Sequence, residues 1–194
     1  PTNVKGYCDI DLNILDINRD YLQSVVVDAI AHGYTSFNRD VIARNTARRN
    51  FRIYKYDGYF ANIGSLADYY SHSMELLGTP ENRDEIFGIK TRPIYTKVRN
   101  SAPTRYAESS VVKNSLVADG CIIDGTVENS IIFRGVKISR GATVKNSILF
   151  QDTVIGENVF LNCVITDKNV VIRDGRILSG HETLPFFVEK NRLV

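Results

Sequence analysis

The sequence predicts two parts in one chain, an α/β segment followed by a three-sided parallel β-helix. Three observations carry this. A short apolar–polar phrase recurs as VKNSL at 112–116, VENSI at 127–131 and VKNSI at 144–148. Across those phrases the apolar residues step by 6, 5 and 6 positions, twice over. Residues 7–77 instead alternate strand-like and helix-like stretches without that period.

In chain order, residues 7–17, YCDIDLNILDI, alternate as a strand does. NRDYLQSVVVDAIAHG reads as a helix. Asn18 supplies its N-cap, Leu22, Val25, Val26, Ala29 and Ile30 share a face, and Gly33 ends it. SFNRDVIARN predicts a second short helix, FRIYKY at 51–56 a strand, and Asp57-Gly58 a turn. Another helix starts at Ser65, with Asp68 in the capping-box position three residues on. Its apolar face is Leu66, Tyr69, Tyr70, Met74 and Leu77. These strands are too few for a self-sufficient doubly wound sheet. Residues 78–106 form a long connector with three prolines, and RPIYTK at 92–97 fits an edge strand joined to the rod.

From residue 112 a helix is excluded. The spacing is wrong for one, and the region is rich in Val, Ile, Gly, Asn and Asp. Strands start at Val127, Phe133 and Ile138, then at Val144, Phe150 and Ile155, then at Leu161, and the first side chain of each is expected inside the prism. Coils start at Val112, Val127, Val144 and Leu161, with Leu116, Ile131, Ile148 and Ile165 as their partners. Gly120, Gly125, Gly135, Gly141, Gly156, Gly175, Asn158 and Asp174 suit the corners. Coils pair about 4.8 Å apart. Asn114–Ser115, Asn129–Ser130 and Asn146–Ser147 fall in matching places, where the amides either bond one another or the corner backbone, or stand in water. The tail, 180–194, ends the repeats with a bulky PFF that caps the last coil or presses on a neighbouring subunit.

Lys and Arg number 24 and Asp and Glu 22, a net charge of +2. That balance argues against nucleic acid or a membrane surface as partner. ARR at 47–49 reads as a solvated helix end or loop before an anion patch. Cys8, Cys121 and Cys163 are too scattered for a disulfide framework or a zinc site, and the two within the repeats read as buried, inert thiols. His32, His72 and His181 are scattered as well. With no bilayer-length apolar run and no secretory signal, the expected setting is reducing and cytoplasmic. The start, PTNVKG, lacks an initiator Met and reads as a processed or cut end. No glycine-rich phosphate cradle and no Ser-His-Asp spacing stands out. Asp9 and Asp11 would share one strand face, as a Mg2+ pair or as a solvated edge.

DGYFANIGSLADYYSHSMELL at 57–77 resembles a segment of bacterial glucose-1-phosphate adenylyltransferases, the ADP-glucose pyrophosphorylases. There the stretch runs Tyr-Trp-Arg-Asp-Val-Gly-Thr, then a helix with a spaced Tyr and an Asn-x-x-Leu end. The pair at 12–32 and FNRDVI at 37–42 match the same layout, so the resemblance covers nearly the whole chain. It implies an α/β remnant of a nucleotidyltransferase domain with its connector over residues 1–90, then a left-handed parallel β-helix of hexapeptide-like repeats over 91–194. It implies a role in making ADP-glucose and pyrophosphate from ATP and glucose 1-phosphate with Mg2+, for glycogen synthesis. The sugar phosphate would attack the α-phosphorus of ATP. The family's glycine-rich loop, its first metal-binding Asp and its Glu-Lys-Pro segment lie outside these 194 residues, so this chain is expected to be inactive alone and to bind no metal.

The departures from the family point the same way. Asn62 replaces the Asp of Arg-Asp-Val-Gly-Thr and is a poorer ligand for a hard cation. Asp11 and Leu15 stand where the family's strand has a Ser and a Tyr that reach the sugar phosphate. Gly64 still suits the turn. Asp11, Leu15, Asn62 and Gly64 thus mark a degenerate sugar-phosphate region. The pattern resembles the regulatory-type subunit that accompanies a catalytic one, so a catalytic adenylyltransferase subunit, self-association, or both are the expected partnerships. The connector, including Arg92, Lys97 and Arg105, is implicated in effector binding by the resemblance alone. Two rivals remain. One is a hexapeptide-repeat acyltransferase, which the region before the rod and the absence of His between His72 and His181 disfavour. The other is a non-catalytic assembly module.

Overall fold

Val127 pairs in register with Val144, Val144 with Leu161, and Leu161 with Leu178, and this column organises the second half of the chain. The computed structural model describes residues 10–48, 50–78, 80–91, 93–96 and 98–194. It divides between Tyr56 and Asp57 into two compact units.

The second unit contains a parallel β-solenoid of about four turns, built from three five-stranded sheets. Side one stacks Arg105–Tyr106, Ile122–Ile123, Lys137–Ile138, Val154–Ile155 and Val171–Ile172. Side two stacks Val111–Lys113, Thr126–Glu128, Thr143–Lys145, Phe160–Asn162 and Ile177–Ser179. Side three stacks Leu116–Val117, Ile131–Ile132, Ile148–Leu149, Val164–Thr166 and Phe186–Val188. The interior is one apolar cluster that includes Ile123, Ile138, Ile155 and Ile172 from side one, Val127, Val144 and Leu161 from side two, and Ile132, Leu149 and Val188 from side three. Cys121 and Cys163 are free and buried, as expected.

One corner carries two polar ladders. Asn114 Nδ2 donates to Asn129 Oδ1 at 2.9 Å, Asn129 Nδ2 to Asn146 Oδ1 at 2.7 Å, and Asn146 Nδ2 to Asn162 Oδ1 at 2.9 Å. Beside it, the Ser115 hydroxyl accepts from Ser130 N, that of Ser130 from Ser147 N, and that of Ser147 from Val164 N, each at 3.1 Å. Asn114, Asn129 and Asn146 turn the corner at φ of 40°, 46° and 46°, a region in which Asn is tolerated better than most residues. The amides therefore bond one another along the prism.

Side three differs from expectation by one residue. Ile132 and Leu149 fill the interior. Phe133 and Phe150 instead join Ile131, Ile148 and Ile165 in a second cluster on the opposite face, because successive strand side chains alternate. The covering element is α3, Leu66–Glu75. The tail's aromatics do not cap the rod. Phe186 and Phe187 are 44% and 43% exposed, while Val188 enters the core.

Within the first unit, α1 spans Arg19–His32. Asn18 Oδ1 accepts from Asp20 N at 2.9 Å and Tyr21 N at 3.3 Å, and Gly33 closes the helix at φ 63°, as expected. Of the expected apolar face only Val25 is buried, and Ile30 is 77% exposed. The second helix is a π-helical turn, Phe37–Ile42, running into α2, Ala43–Asn45. Neither 10–17 nor 51–56 forms a strand, because no neighbouring strand pairs with them among the described residues. Residues 7–9 of the first expected strand lie outside the described ones. The connector is not all loop either. It contains α4, Pro80–Phe87, and 93–96 is not a strand, with residues 92 and 97 outside the described set.

Candidate functional site

Asp11 and Leu15 lie in the first unit. Asp11 Oδ1 accepts from Asn13 N at 2.9 Å, and Asn13 holds φ 56°, a local Asx turn. Asn38 Nδ2 bridges the pair, 3.3 Å from Asp11 Oδ2 and 3.3 Å from Asn13 Oδ1. Leu15 is exposed. Two residues beyond Asn38, the buried Asp40 anchors the π-helical turn. It accepts from Thr35 N, Ser36 N and the Arg39 guanidinium at 3.0–3.2 Å. The hydrogen bond from Arg39, aided by the Ser36 and Thr35 N–H groups, holds the Asp40 carboxyl well below the usual range despite the opposing effect of burial.

Asn62 and Gly64 lie in the second unit, on an exposed loop leading into α3. The loop ends in a reciprocal cap. Ser65 Oγ donates to Asp68 Oδ2 at 2.8 Å, Asp68 N donates to Ser65 Oγ at 3.1 Å, and Gly64 N donates to Asp68 Oδ2 at 3.3 Å. The expected N-cap is therefore formed, while Asp68 reaches back to Ser65 Oγ and Gly64 N in place of the Ser65 N–H that a capping box would use. Tyr59, at the start of the loop, donates to Glu75 Oε2 at 3.2 Å, and His72 Nδ1 lies 3.2 Å from the same oxygen. Burial first, then the Glu75 contact, raises the Tyr59 phenol above its ordinary range.

What fixes this loop is the seat of α3 on side three of the solenoid. Tyr69 packs edge-on to Phe150 at 6.1 Å between centroids, and Phe150 against Phe133 at 4.8 Å. Tyr70 is 3% exposed. Its hydroxyl donates to the Asn146 carbonyl at 2.7 Å and lies 3.6 Å from Cys163 Sγ. Cys163 occupies the left-handed corner position, φ 52°, that Asn114, Asn129 and Asn146 hold in the coils before it. Sequence reading placed Tyr70 in an apolar face, and its side-chain spacing shows the burial. The corner carbonyl it reaches, 76 residues away, has no local signal. Asn38 and Asp40 were likewise not singled out.

Among the described residues, no three His, Cys, Asp or Glu side chains assemble as a metal-holding group. Asp11 brings one carboxylate beside two amides, and Asp40's oxygens face Arg39 and backbone N–H groups. These residues by themselves do not fit a Mg2+ site, which needs near-octahedral oxygen ligation. Arg105 is exposed on the first strand of side one, while Arg92 and Lys97 lie outside the described residues. No described helix is long and apolar enough to cross a membrane.

Laddered corners around a three-sided parallel core define a hexapeptide-repeat solenoid, and residues 100–182 match the family model described as GlmU-like, C-terminal hexapeptide. The chain is 37% identical over 179 residues to the glycogen biosynthesis protein GlgD of Bacillus subtilis, covering 92% of this chain and 51% of that protein. It is 38% identical over 167 residues to GlgD of Geobacillus stearothermophilus, covering 72% and 47%. It is 33% identical over 133 residues to a glucose-1-phosphate adenylyltransferase of Bacillus thuringiensis, covering 67% and 34%. Homologues of the chain thus include both glucose-1-phosphate adenylyltransferase and GlgD. The chain spans about half the length of the GlgD proteins it matches.

Proposed function

We propose that the chain is a portion of a regulatory-type, non-catalytic subunit that acts in glycogen biosynthesis beside a catalytic glucose-1-phosphate adenylyltransferase. The observation that carries this reading is similarity to GlgD along 92% of the chain, with Asn62 where the catalytic motif has Asp. An exposed carboxamide at that position lacks the charge that draws a hard cation, and the described residues offer no cluster that compensates. Asp11, tied to Asn13 and Asn38, replaces a hydroxyl donor with an acceptor that repels phosphate. Leu15 offers no hydrogen bond. On this reading the first 90 residues are the end of a nucleotidyltransferase domain, the solenoid winds left-handed, the setting is cytoplasmic, and Mg2+ is held by the catalytic partner. The solenoid's part is to seat α3, and with it the Asn62 loop, and to serve assembly.

The test uses this chain and its full-length gene product with the catalytic adenylyltransferase of the same organism. Pyrophosphate release from ATP and glucose 1-phosphate is expected at background for either alone, and the full-length product is expected to change the catalytic subunit's kcat or KM. Turnover by the lone full-length subunit comparable to a catalytic subunit refutes the assignment, as does the absence of any effect in the mixture.

A further inference from the structure

The step between corner asparagines is 15 residues from Asn114 to Asn129 but 17 from Asn129 to Asn146. The two missing residues come from a single place. In the third coil the corner between sides one and two runs Ser139-Arg140-Gly141-Ala142, whereas the second coil passes from Asp124 directly to Gly125. The register on either side is unbroken, since Asp124 N donates to Ile138 O and Thr126 N to Ala142 O, both at 2.8 Å. Gly125 sits so close to the next coil that a Cβ there would lie 2.5 Å from Ala142 O.

The shortened corner leaves a notch of about 600 Å³, walled by Glu108 and Ser109 on one side and Arg140 and Gly141 on the other, with Gly125 in its floor. In the later coils this rung is filled. Asn158 N donates to Arg140 O at 3.1 Å and Gly175 N to Glu157 O at 2.8 Å. Gly141 N, at the same position one coil earlier, has no such carbonyl beneath it, because the residue that would supply it does not exist. The walls stand two rungs apart, about 10 Å from two spacings of about 4.8 Å, which admits one peptide layer.

We propose that this notch is a docking slot for one tight, glycine-bearing loop of a partner polypeptide, which supplies the missing rung. A carbonyl of the loop accepts from Gly141 N, in the manner of strand addition to an open sheet edge. Glycine suits the turn because the equivalent residues of three successive coils are all left-handed, at φ 73° (Gly141), 54° (Asn158) and 70° (Gly175), a region that glycine enters at no steric cost and asparagine at a small one. Charge selects a basic neighbour for that glycine. Asp124 is already held by Ser109 Oγ at 2.6 Å and lies 3.6 Å from Arg140 Nε, while Glu108 on the opposite rim has no ion-pair partner among the described residues. An Arg or Lys in the loop answers Glu108 as Arg140 answers Asp124.

The test is selection of phage-displayed, disulfide-closed nine-residue loops with Gly fixed at the centre, on the whole chain immobilised by a terminal tag. The comparison protein carries an Arg-Gly insertion between Asp124 and Gly125, which builds the rung into the chain. Loops with Lys or Arg beside the glycine are expected to be enriched on the native chain. They are expected to bind the insertion variant at least tenfold more weakly, and to slow hydrogen exchange at the Gly141 amide. If the insertion variant does not fold, Glu108→Lys, a change at an exposed position, replaces it, with the same tenfold loss expected for the basic loops. No enrichment on the native chain, equal binding to both proteins, or binding that leaves Gly141 exchange unchanged overturns the proposal.

Discussion

Tyr70→Phe isolates the bond that ties α3 to the solenoid. The phenyl ring keeps its place among Ile148, Cys163 and Ile165, so no cavity opens. What is lost is the donor to Asn146 O at 2.7 Å. A buried acceptor left without its partner costs about 1–3 kcal/mol. Tyr70→Ala adds the cavity, for a total of about 3–5 kcal/mol. The loss should be local, because α3 and its loop can open from side three without breaking the strand ladders. Amide exchange across Leu66–Leu77 is therefore expected to accelerate about 5–140-fold in Tyr70→Phe for that loss of about 1–3 kcal/mol, while Val144, Ile155 and Leu161 exchange as before. Unchanged exchange in α3 would refute the reasoning. Equal acceleration in α3 and the sheets would refute it too, since it would mean that the helix and the rod open as one unit.

The corner asparagines give a second outcome. Asn129→Ala removes two ladder bonds and places a β-carbon residue at φ 46°. It is expected to destabilise by about 1 kcal/mol more than Asn129→Gly, read as the difference in denaturation midpoints. Leu161→Ala empties a fully buried site in the middle of the rod and is expected to cost about 2–5 kcal/mol in denaturant unfolding. Glu128 supplies a pH outcome. The hydrogen bond and charge of Lys145, with Lys113 beyond, hold its carboxyl below the ordinary range. A depressed carboxyl contributes stability that is present above the unfolded value, about 4.3, and is lost as pH falls through the folded one. Glu128→Gln should therefore flatten the acid limb of the stability–pH profile, and an unchanged limb would count against that pairing.

The legibility of the two halves differs for a physical reason. The interior column of side two is apolar from coil to coil, and the rungs fix its spacing. Val127, Val144 and Leu161 therefore announce their contact in the sequence. Where three apolar residues run together, as in Ile131-Ile132-Phe133 and Ile148-Leu149-Phe150, alternation says nothing about which points inward. The expectation chose Phe133 and Phe150, and the structure places Ile132 and Leu149 inside. The reason is α3, which makes the outer face of side three apolar as well. The ends of α1 and the start of α3 were readable because a cap uses neighbours in sequence. The strands expected at 7–17 and 51–56 were not, because alternation describes a side chain's preference for one face while a strand exists only with a partner.

The same distinction separates the identity of the candidate site from its geometry. That Asn62 replaces an Asp is visible in the sequence, and so is Leu15 in place of a hydroxyl donor. That Gly64 N and Ser65 Oγ both turn to Asp68 Oδ2 follows from a four-residue motif and was expected in outline. The seat of that loop depends on Tyr70 finding a carbonyl 76 residues away, at a corner whose left-handed turn has passed from Asn146 to Cys163 in the next coil. Cys163 breaks the column of corner asparagines, yet the amide ladder continues because Asn162, one position earlier, accepts from Asn146. The departure from the repeat therefore leaves the ladder intact and puts a small, polarisable thiol where the Tyr70 ring and hydroxyl arrive. A repeat protein advertises its interior through regularity. Cys163 beneath α3 and the shortened corner at Gly125 are irregular, and in this chain the irregular positions are those where the rod meets another element or lies open to one.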